Sequence, residues 1–241
     1  MIEARGLAKR FGPLAALKHV TFRAENGRIT GLLGPNGAGK STTLRILSTV
    51  LRPSEGEALI DGLSVAADPL EARRHIGVLP HGAGIYPHLT ARENVLYFAE
   101  LYGLERGECR RRSQELLELL GMEAFADRPA KGFSQGERLK TALARALVHR
   151  PRNVLLDEPT SGLDVPSVRS LRALLDRLRI EGCCVLFSSH VMHEVAALCD
   201  DIVVIADGAV VASGTPAEIR ARTGHGELED AFVELTRAGS P

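Results

Sequence analysis

One stretch constrains this chain more than any other: Gly34-Pro-Asn-Gly-Ala-Gly-Lys-Ser41, directly after the apolar run Ile29-Thr-Gly-Leu-Leu33. It fits the pattern G-x-x-x-x-G-K-[ST]. The pattern has physical meaning when a buried strand runs into a glycine loop and a helix follows. The glycines let the backbone turn successive N–H groups inward at phosphate oxygens, and the helix adds the positive end of its dipole. In that geometry Lys40 reaches the β- and γ-phosphates, and the Ser41 hydroxyl ligates Mg²⁺. Gly34, Pro35, Asn36, Gly37, Ala38, Gly39, Lys40, Ser41 and Thr42 are therefore candidate nucleotide-binding residues. A helix is expected from about Ser41 to Val50.

A second part lies far downstream. Asn153-Val-Leu-Leu-Asp-Glu158 is an apolar strand ending in two carboxylates. A parallel sheet binds ligands at the carboxyl ends of its strands. That places Asp157 near the phosphates, where it can hold Mg²⁺ directly or through water. Glu158 falls where a general base polarises an attacking water. An acidic pair after a strand reads by itself as a solvated turn. Together with the phosphate loop it points to a nucleoside triphosphatase.

The rest of the chain supports an α/β fold around these parts. Residues 1–30 alternate apolar and polar between turn signals and read as short antiparallel strands. Ala58–Ile60, Asn153–Leu156 and Cys184–Phe187 read as strands; Pro166–Arg179 and His190–Leu198 read as helices. Ile202–Ile205 and Val210–Ala212 flank Asp207-Gly208, a hairpin signal. Between about 82 and 150 the pattern is helical. Thr90-Ala-Arg-Glu93 is a capping box there, and a further helix over Glu115–Leu120 is stopped by Gly121. The fold expected is a mainly parallel sheet covered on both faces, with an N-terminal antiparallel β subdomain and an inserted helical subdomain at about 82–150. All of it forms one ATPase-type domain over residues 1–241. The tail, about 223–241, opens after the capping box Thr215-Pro-Ala-Glu218. It spaces Glu227, Leu228, Ala231, Phe232 and Leu235 as a short amphipathic helix packed on its own domain, with a frayed end.

Composition excludes several classes. Thirty basic and thirty acidic residues cancel, so no global basic field favours nucleic acid. There is no Trp, and Phe and Tyr number only seven and three, too few for a stacking platform. Cys109, Cys183, Cys184 and Cys199 form no metal-ligand spacing and read as buried small hydrophobes in a reducing cytosol. No uncharged apolar run approaches the roughly 18–20 residues of a membrane span, so a membrane role must come through a partner.

One polar stretch is left over: Gly132-Phe-Ser-Gln-Gly-Glu-Arg138. Ser134-Gln-Gly-Glu137 is a capping box, and the helix it opens puts Leu139, Ala142, Leu143, Ala146 and Leu147 on one face. A bare helix N-terminus also binds anions. A second phosphate site about ninety residues from the first suits use by another copy of the chain.

At this point the sequence resembles the ATP-binding subunits of ABC transporters over nearly its whole length. The resemblance implies a head-to-tail pair of ATPase domains around two Mg·ATP. The signature loop of one then closes on the nucleotide held by the other. The usual signature is Leu-Ser-Gly-Gly-Gln; here it is Phe133-Ser-Gln-Gly-Glu137, with Gln135 in place of a glycine. Ser134, Gln135 and Gly136, with Asp164 of Ser161-Gly-Leu-Asp164, are the implied contacts to the opposing site. Phe11 resembles the aromatic that stacks on adenine, and His190 the switch histidine at the γ-phosphate. Ile76-Gly-Val-Leu-Pro-His81 resembles a segment that ends in glutamine. Here His81 stands in its place, and the expectation is that it takes over that residue's contacts to Mg²⁺ and water.

Tyr86–Val95 and Ala142–Pro151 look most like ATPases of multidrug, sodium and antibiotic exporters with separate membrane subunits, with a lean to the sodium branch. The implied partners are an integral membrane permease and a second copy or paralogous ATPase, with no nucleic acid. The implied location is the cytoplasmic side of the inner membrane, peripheral through the permease. A soluble relative acting on ribosomes or DNA is the alternative. It would carry two ATPase halves or long coiled-coil insertions, and neither is present. A GTP switch would need an Asn-Lys-x-Asp segment, which is missing.

Overall fold

The apolar runs become the centre of a ten-stranded sheet in the computed structural model, which describes residues 1–82 and 84–238. Its first elements are β1 (Ile2–Phe11), β2 (Leu14–Ala24), β3 (Ile29–Leu33), α1 (Lys40–Leu47), β4 (Glu55–Ile60), β5 (Leu63–Ser64), α2 (Pro69–Arg74) and β6 (Ile76–Leu79). Three helices follow: α3 (Ala91–Leu101), α4 (Arg106–Leu119) and α5 (Gln135–Leu147). The chain then alternates β7 (Asn153–Asp157), α6 (Val165–Ile180), β8 (Cys184–Ser189), α7 (Met192–Leu198), β9 (Asp201–Ala206) and β10 (Ala209–Gly214), and ends in α8 (Pro216–Thr223) and α9 (Leu228–Ala238).

The strand order is β5-β4-β1-β2-β10-β9-β3-β8-β7-β6. Strands β9, β3, β8, β7 and β6 run parallel. Strands β5, β4, β1 and β2 form an antiparallel wing. The parallel strands are covered on both faces, and their side chains alternate between two cores as the period of two requires. Val154 and Leu156, Val185 and Phe187, and Ile202 and Val204 join helices α3 to α7 and α9 in one core. Leu155, Leu186, Val203 and Ile205 join α1 and the antiparallel wing in the other.

All three capping boxes read from the sequence are formed, at Thr90–Glu93, Ser134–Glu137 and Thr215–Glu218. Asp207 and Gly208 both take positive φ (47° and 76°), the left-handed pair that a two-residue hairpin turn needs. Helix α9 buries Leu228 and Ala231, and Phe232 and Leu235 pack against the same core, as expected of the tail. The expected frayed end, residues 239–241, lies outside the described residues.

The structure also departs from the sequence reading. The segment ending at His81 contains strand β6, paired with β7. Its four residues include Gly77, and the strand is too short to show a period. Helix α1 stops at Leu47, short of Val50, and Thr49 lies beyond it in the left-handed region at φ 65°. Helix α4 begins at Arg106, well before Glu115, through a stretch so rich in charge that its apolar face is hard to read. Strand β8 runs on to Ser189, and α7 starts only at Met192 because Val191 is extended, which leaves His190 in the connecting loop.

Three of the four cysteines are buried as expected, and Cys183 is half-buried. Cys109, Cys184 and Cys199 are buried, and burial pushes the Cys184 thiol up to about 12. Among the described residues no helix is long and apolar enough to cross a membrane.

Two side chains carry testable stability. Asn94 is fully buried; its amide nitrogen donates to Tyr86 O (3.1 Å) and Thr90 O (2.9 Å), and its oxygen accepts from Tyr86 N (3.0 Å). It fixes the 86–90 loop against α3. Thr90 O and Tyr86 O keep backbone donors, from Asn94 N and Leu89 N, so Asn94→Ala leaves Tyr86 N unpaired and should lower unfolding free energy by about 2 kcal/mol in urea titrations.

His149 stacks on Tyr102 at 3.6 Å and its Nε2–H donates to Ile76 O at 3.0 Å. Burial holds its pKa down at about 4, below the ordinary histidine value. The unfolded chain therefore binds the proton first as pH falls. The stability from neutral His149 is fully present above about pH 6.5 and is lost towards pH 4. Allowing for partial exposure of the ring, the loss is roughly 2 kcal/mol. His149→Phe, which keeps the stack but cannot titrate, should flatten the pH dependence of unfolding over that window.

Candidate functional site

The phosphate loop leaves the carboxyl end of β3 and enters α1. It can pass there because two glycines make room. A Cβ on Gly34 would lie 2.2 Å from Ile205 O, and one on Gly39 would lie 2.5 Å from Leu17 Cδ2. Gly39 also takes φ 109°, which other residues rarely adopt. The loop is braced from outside: Gly208 N donates to Ala38 O at 3.1 Å, and Lys18 N donates to Gly208 O at 2.8 Å. The β9–β10 turn and β2 thus hold it in place. Pro35, Asn36 and Gly37 form an exposed tip, while Ala38, Gly39 and Lys40 are buried.

Lys40 Nζ curls back onto its own loop, donating to Gly34 O (2.7 Å) and Pro35 O (3.1 Å). Burial pushes its pKa down, while Glu158 and Asp157 pull it the other way. An ammonium held in a loop of inward-facing backbone, with two carboxylates nearby, is prepared for a polyanion that outbids the two carbonyls.

The acidic pair lies beside the loop. Ser41 Oγ is 3.3 Å from Asp157 Oδ1, and Ser188 Oγ donates to the same oxygen at 2.6 Å. Ser188 also accepts the Glu158 N–H at 3.0 Å. One hydroxyl on the neighbouring strand thus fixes both the carboxylate of Asp157 and the backbone of Glu158. Glu158 sits at φ 50°, a non-glycine residue in the left-handed region. Strain of that kind persists where surrounding structure over-determines it. Sequence reasoning passed over Ser188. The available signal was a hydroxyl at the carboxyl end of an otherwise apolar strand, in Phe187-Ser-Ser189.

Two imidazoles face the Glu158 carboxylate. His190 Nδ1 is 3.3 Å from Oε1, and His81 Nδ1 is 3.9 Å from Oε2. Both rings are more than half exposed, whereas the Glu158 side chain is 19% exposed. The carboxylate is the anchored member and the rings reach it from the β6 and β8 ends. Among the described residues no cluster of three or more His, Cys, Asp or Glu could hold a metal. The donors that do fit Mg²⁺ are Ser41 Oγ and Asp157, a hard-oxygen pair of the kind that leaves its remaining positions to water and phosphate. His81 contacts Glu158, and its nitrogen suits Mg²⁺ less well than oxygen does.

The other predicted residues lie across a cleft. It has a volume of about 530 Å³ and is lined by His81, Asp157 and Glu158 on one side and by Gln135, Arg138 and Ser161 on the other. Ser134 Oγ accepts from Glu137 N (3.2 Å), and Glu137 accepts from Ser134 N (2.8 Å) and pairs with Arg128. Gly136 packs so closely on α6 that a Cβ there would lie 2.7 Å from Ser167 Oγ. Asp164 caps α6 by accepting from Ser167 N at 3.0 Å. Phe11 stands apart at the tip of the β1–β2 hairpin, 46% exposed, with the Lys9 ammonium 5.3 Å from its ring centre.

Comparison with known proteins accords with this geometry. The profile of the family described as "ABC transporter" matches residues 17–161. The chain is 44% identical over 219 residues to the ABC transporter ATP-binding protein NatA of Bacillus subtilis (strain 168), covering 89% of each. It is 34% identical to the linearmycin resistance ATP-binding protein LnrL of the same organism, covering 99% of this chain and 76% of that one. Its fold also matches a solved ATP-binding cassette, described as a dimeric post-hydrolysis state bound to ADP and Pi. That match has a TM-score of 0.81 at 30% identity and covers 89% of this chain and 98% of that one. A braced phosphate loop, an anchored carboxylate pair and these matches along most of the chain lead to one assignment: the chain belongs to the ABC transporter family, as an ATP-binding and ATP-hydrolysing subunit.

Proposed function

We propose that two copies of this chain, or one copy and a close relative, close head to tail around two Mg·ATP and that this motion drives a separate membrane permease in export. The observation that carries the reading is the placement of the start of α5. Ser134 and Gln135 are exposed there, and the cleft that Gln135 borders is lined by no residue of the 34–42 loop. A helix N-terminus open to solvent, beside a cleft that its own phosphate loop does not line, is suited to a nucleotide held by another subunit.

Within one site the geometry above supports the phosphate and water roles, and the sequence resemblance supports that of Phe11. The backbone N–H groups of residues 36–42 and the Lys40 ammonium bind the phosphates, and Phe11 supplies a face for the adenine. Ser41 and Asp157 would hold Mg²⁺. The ion would neutralise charge on the transferred phosphoryl oxygens. Glu158 accepts hydrogen-bonded water and draws its proton as the oxygen attacks the γ-phosphorus, giving ADP and phosphate. His190 and His81 flank that carboxylate and hold the water from either side. Loss of the γ-phosphate removes the contact that held α5 of the opposing subunit, and the pair reopens.

Attachment to a permease has a fitting surface. A groove of about 390 Å³ lies between Arg45, Val50 and Val78 of the core and Phe98, Tyr102 and Arg145 of the helices. The Arg145 guanidinium lies 3.8 Å from the Phe98 ring centre and donates to Gly84 O at 2.7 Å, so the floor is rigid. Val50 is 67% exposed and Leu101 62%, leaving apolar surface for a short helix of the partner. Export of sodium, a drug or an antibiotic is the class favoured by the sequence resemblance and by the relative named for linearmycin resistance.

Glu158→Gln should reduce ATP hydrolysis by about 10²–10³-fold while ATP still binds. Light scattering of this variant with Mg·ATP should then give twice the mass measured without nucleotide. A mass that stays at one chain would sink the sandwich of two identical copies. Purification of the tagged chain from its native membranes should retain a multi-span protein in stoichiometric amount. Recovery of ribosomes alone would remove the transport assignment and leave the ATPase.

A further inference from the structure

Gln135 stands where the usual signature has a glycine, and its side chain, though exposed, is fastened within its own chain. Its Nε2 donates to Ser161 O at 2.8 Å, within the same chain. The amide lies flat against Gly162, where a Cβ would come within 2.5 Å of Gln135 Nε2. Gly162 also takes φ 70°, so both space and backbone conformation there call for glycine. A glycine at position 135 could not make this contact.

The segment that receives it is a chain of tight turns. Ser161 N donates to Glu158 O (3.2 Å), Leu163 N donates to Thr160 O (3.2 Å), and Ser167 N donates to Asp164 Oδ1 (3.0 Å). One hydrogen bond thus links Gln135 to Ser161, and a second links Ser161 to the backbone of Glu158. Gly136, the next residue, leans on Ser167 at the far end of the same segment. The start of α5 therefore meets residues 158–167 at two places, Ser161–Gly162 and Ser167.

We propose that Gln135 is a positioning residue that ties the start of α5 to the Glu158–Asp164 segment of its own chain, so that the two nucleotide sites of the dimer respond as one. This rests on the sandwich proposed above. In that arrangement the start of α5 touches the opposing nucleotide while Glu158 serves its own. The tie carries a displacement of α5 to Ser161 and from there to Glu158. It also keeps the Gln135 side chain clear of the approaching phosphate.

Two variants separate the tie from bulk and backbone effects. Gln135→Glu keeps size and shape but puts a carboxylate oxygen against the Ser161 carbonyl. Gln135→Lys keeps a donor of similar reach. Amide hydrogen exchange of the full chain without nucleotide reads the tie directly. Peptides spanning 158–166 should exchange about two- to tenfold faster in Gln135→Glu than in wild type, the range expected for loss of one hydrogen bond. Gln135→Lys should exchange at close to the wild-type rate.

ATPase titrations then read the consequence. In Gln135→Glu the Hill coefficient for ATP should fall towards one and half-saturating ATP should rise about two- to tenfold. Wild-type exchange in the Glu variant, or faster exchange with unchanged cooperativity, would overturn the proposal. The exchange measurement requires neither ATP nor a dimer. A wild-type chain that never dimerises would therefore sink the sandwich of identical copies without deciding whether the tie exists.

Discussion

The structure depends on the burial of its parallel strands on both faces. β3, β7 and β8 expose no residue along their length. Charged groups cannot be left unpaired inside such a slab, so the polar chemistry is driven to the carboxyl ends of the strands. The phosphate loop leaves β3 there, Asp157 and Glu158 leave β7, Ser188 and His190 leave β8, and His81 follows β6. Four adjacent strands thereby supply one site from segments far apart in sequence. The antiparallel wing and α1 cover one face and the helices the other, and each cover adds its own parts. β2 and the β9–β10 turn brace the loop, while α5 brings the signature stretch to the rim.

The electrostatics of the site follow from the same burial. Lys40, buried among backbone carbonyls with Asp157 and Glu158 close by, is charged in a place where water screens it poorly. Asp157 is held by two hydroxyls, Ser41 and Ser188, and by no cation of the side-chain kind at hydrogen-bond distance among the described contacts. Its negative charge is therefore available to a metal ion. Glu158 is fixed through its backbone by Ser188, while its carboxylate remains at the cleft between two exposed imidazoles. Rigid backbone with an accessible carboxylate suits a base that must meet a water molecule at one position.

Much of this was legible in the sequence because it is encoded locally. The phosphate loop, the capping boxes of α3, α5 and α8, the Asp207-Gly208 turn and the apolar strands each depend on residues within a few positions of one another. The amphipathic tail could be read for the same reason. Less legible were elements whose local pattern is weak. β6 is four residues long and contains a glycine, and the first turns of α4 are dominated by charge. The loop position of His190 was missed because it is set by the register of β8 against β3 and β7, which runs the strand on to Ser189.

The sequence by itself determined which chemical groups the chain has and in what order: a phosphate loop, an acidic pair, a signature stretch with Gln135 in place of a glycine, and a histidine at 81. Those facts are local, and a spacing or a substitution states them completely. Only the tertiary structure decided what these groups touch. Ser188 became the joint between Asp157 and Glu158 because β8 pairs with β7 in a register that sets Asp157 opposite Ser188. The His81 ring was turned towards Glu158, and Gln135 was laid on Gly162 beneath the Ser161 carbonyl. Each contact joins residues 26 to 77 positions apart, and the packing of strands and helices that brings them together is a property of the whole chain.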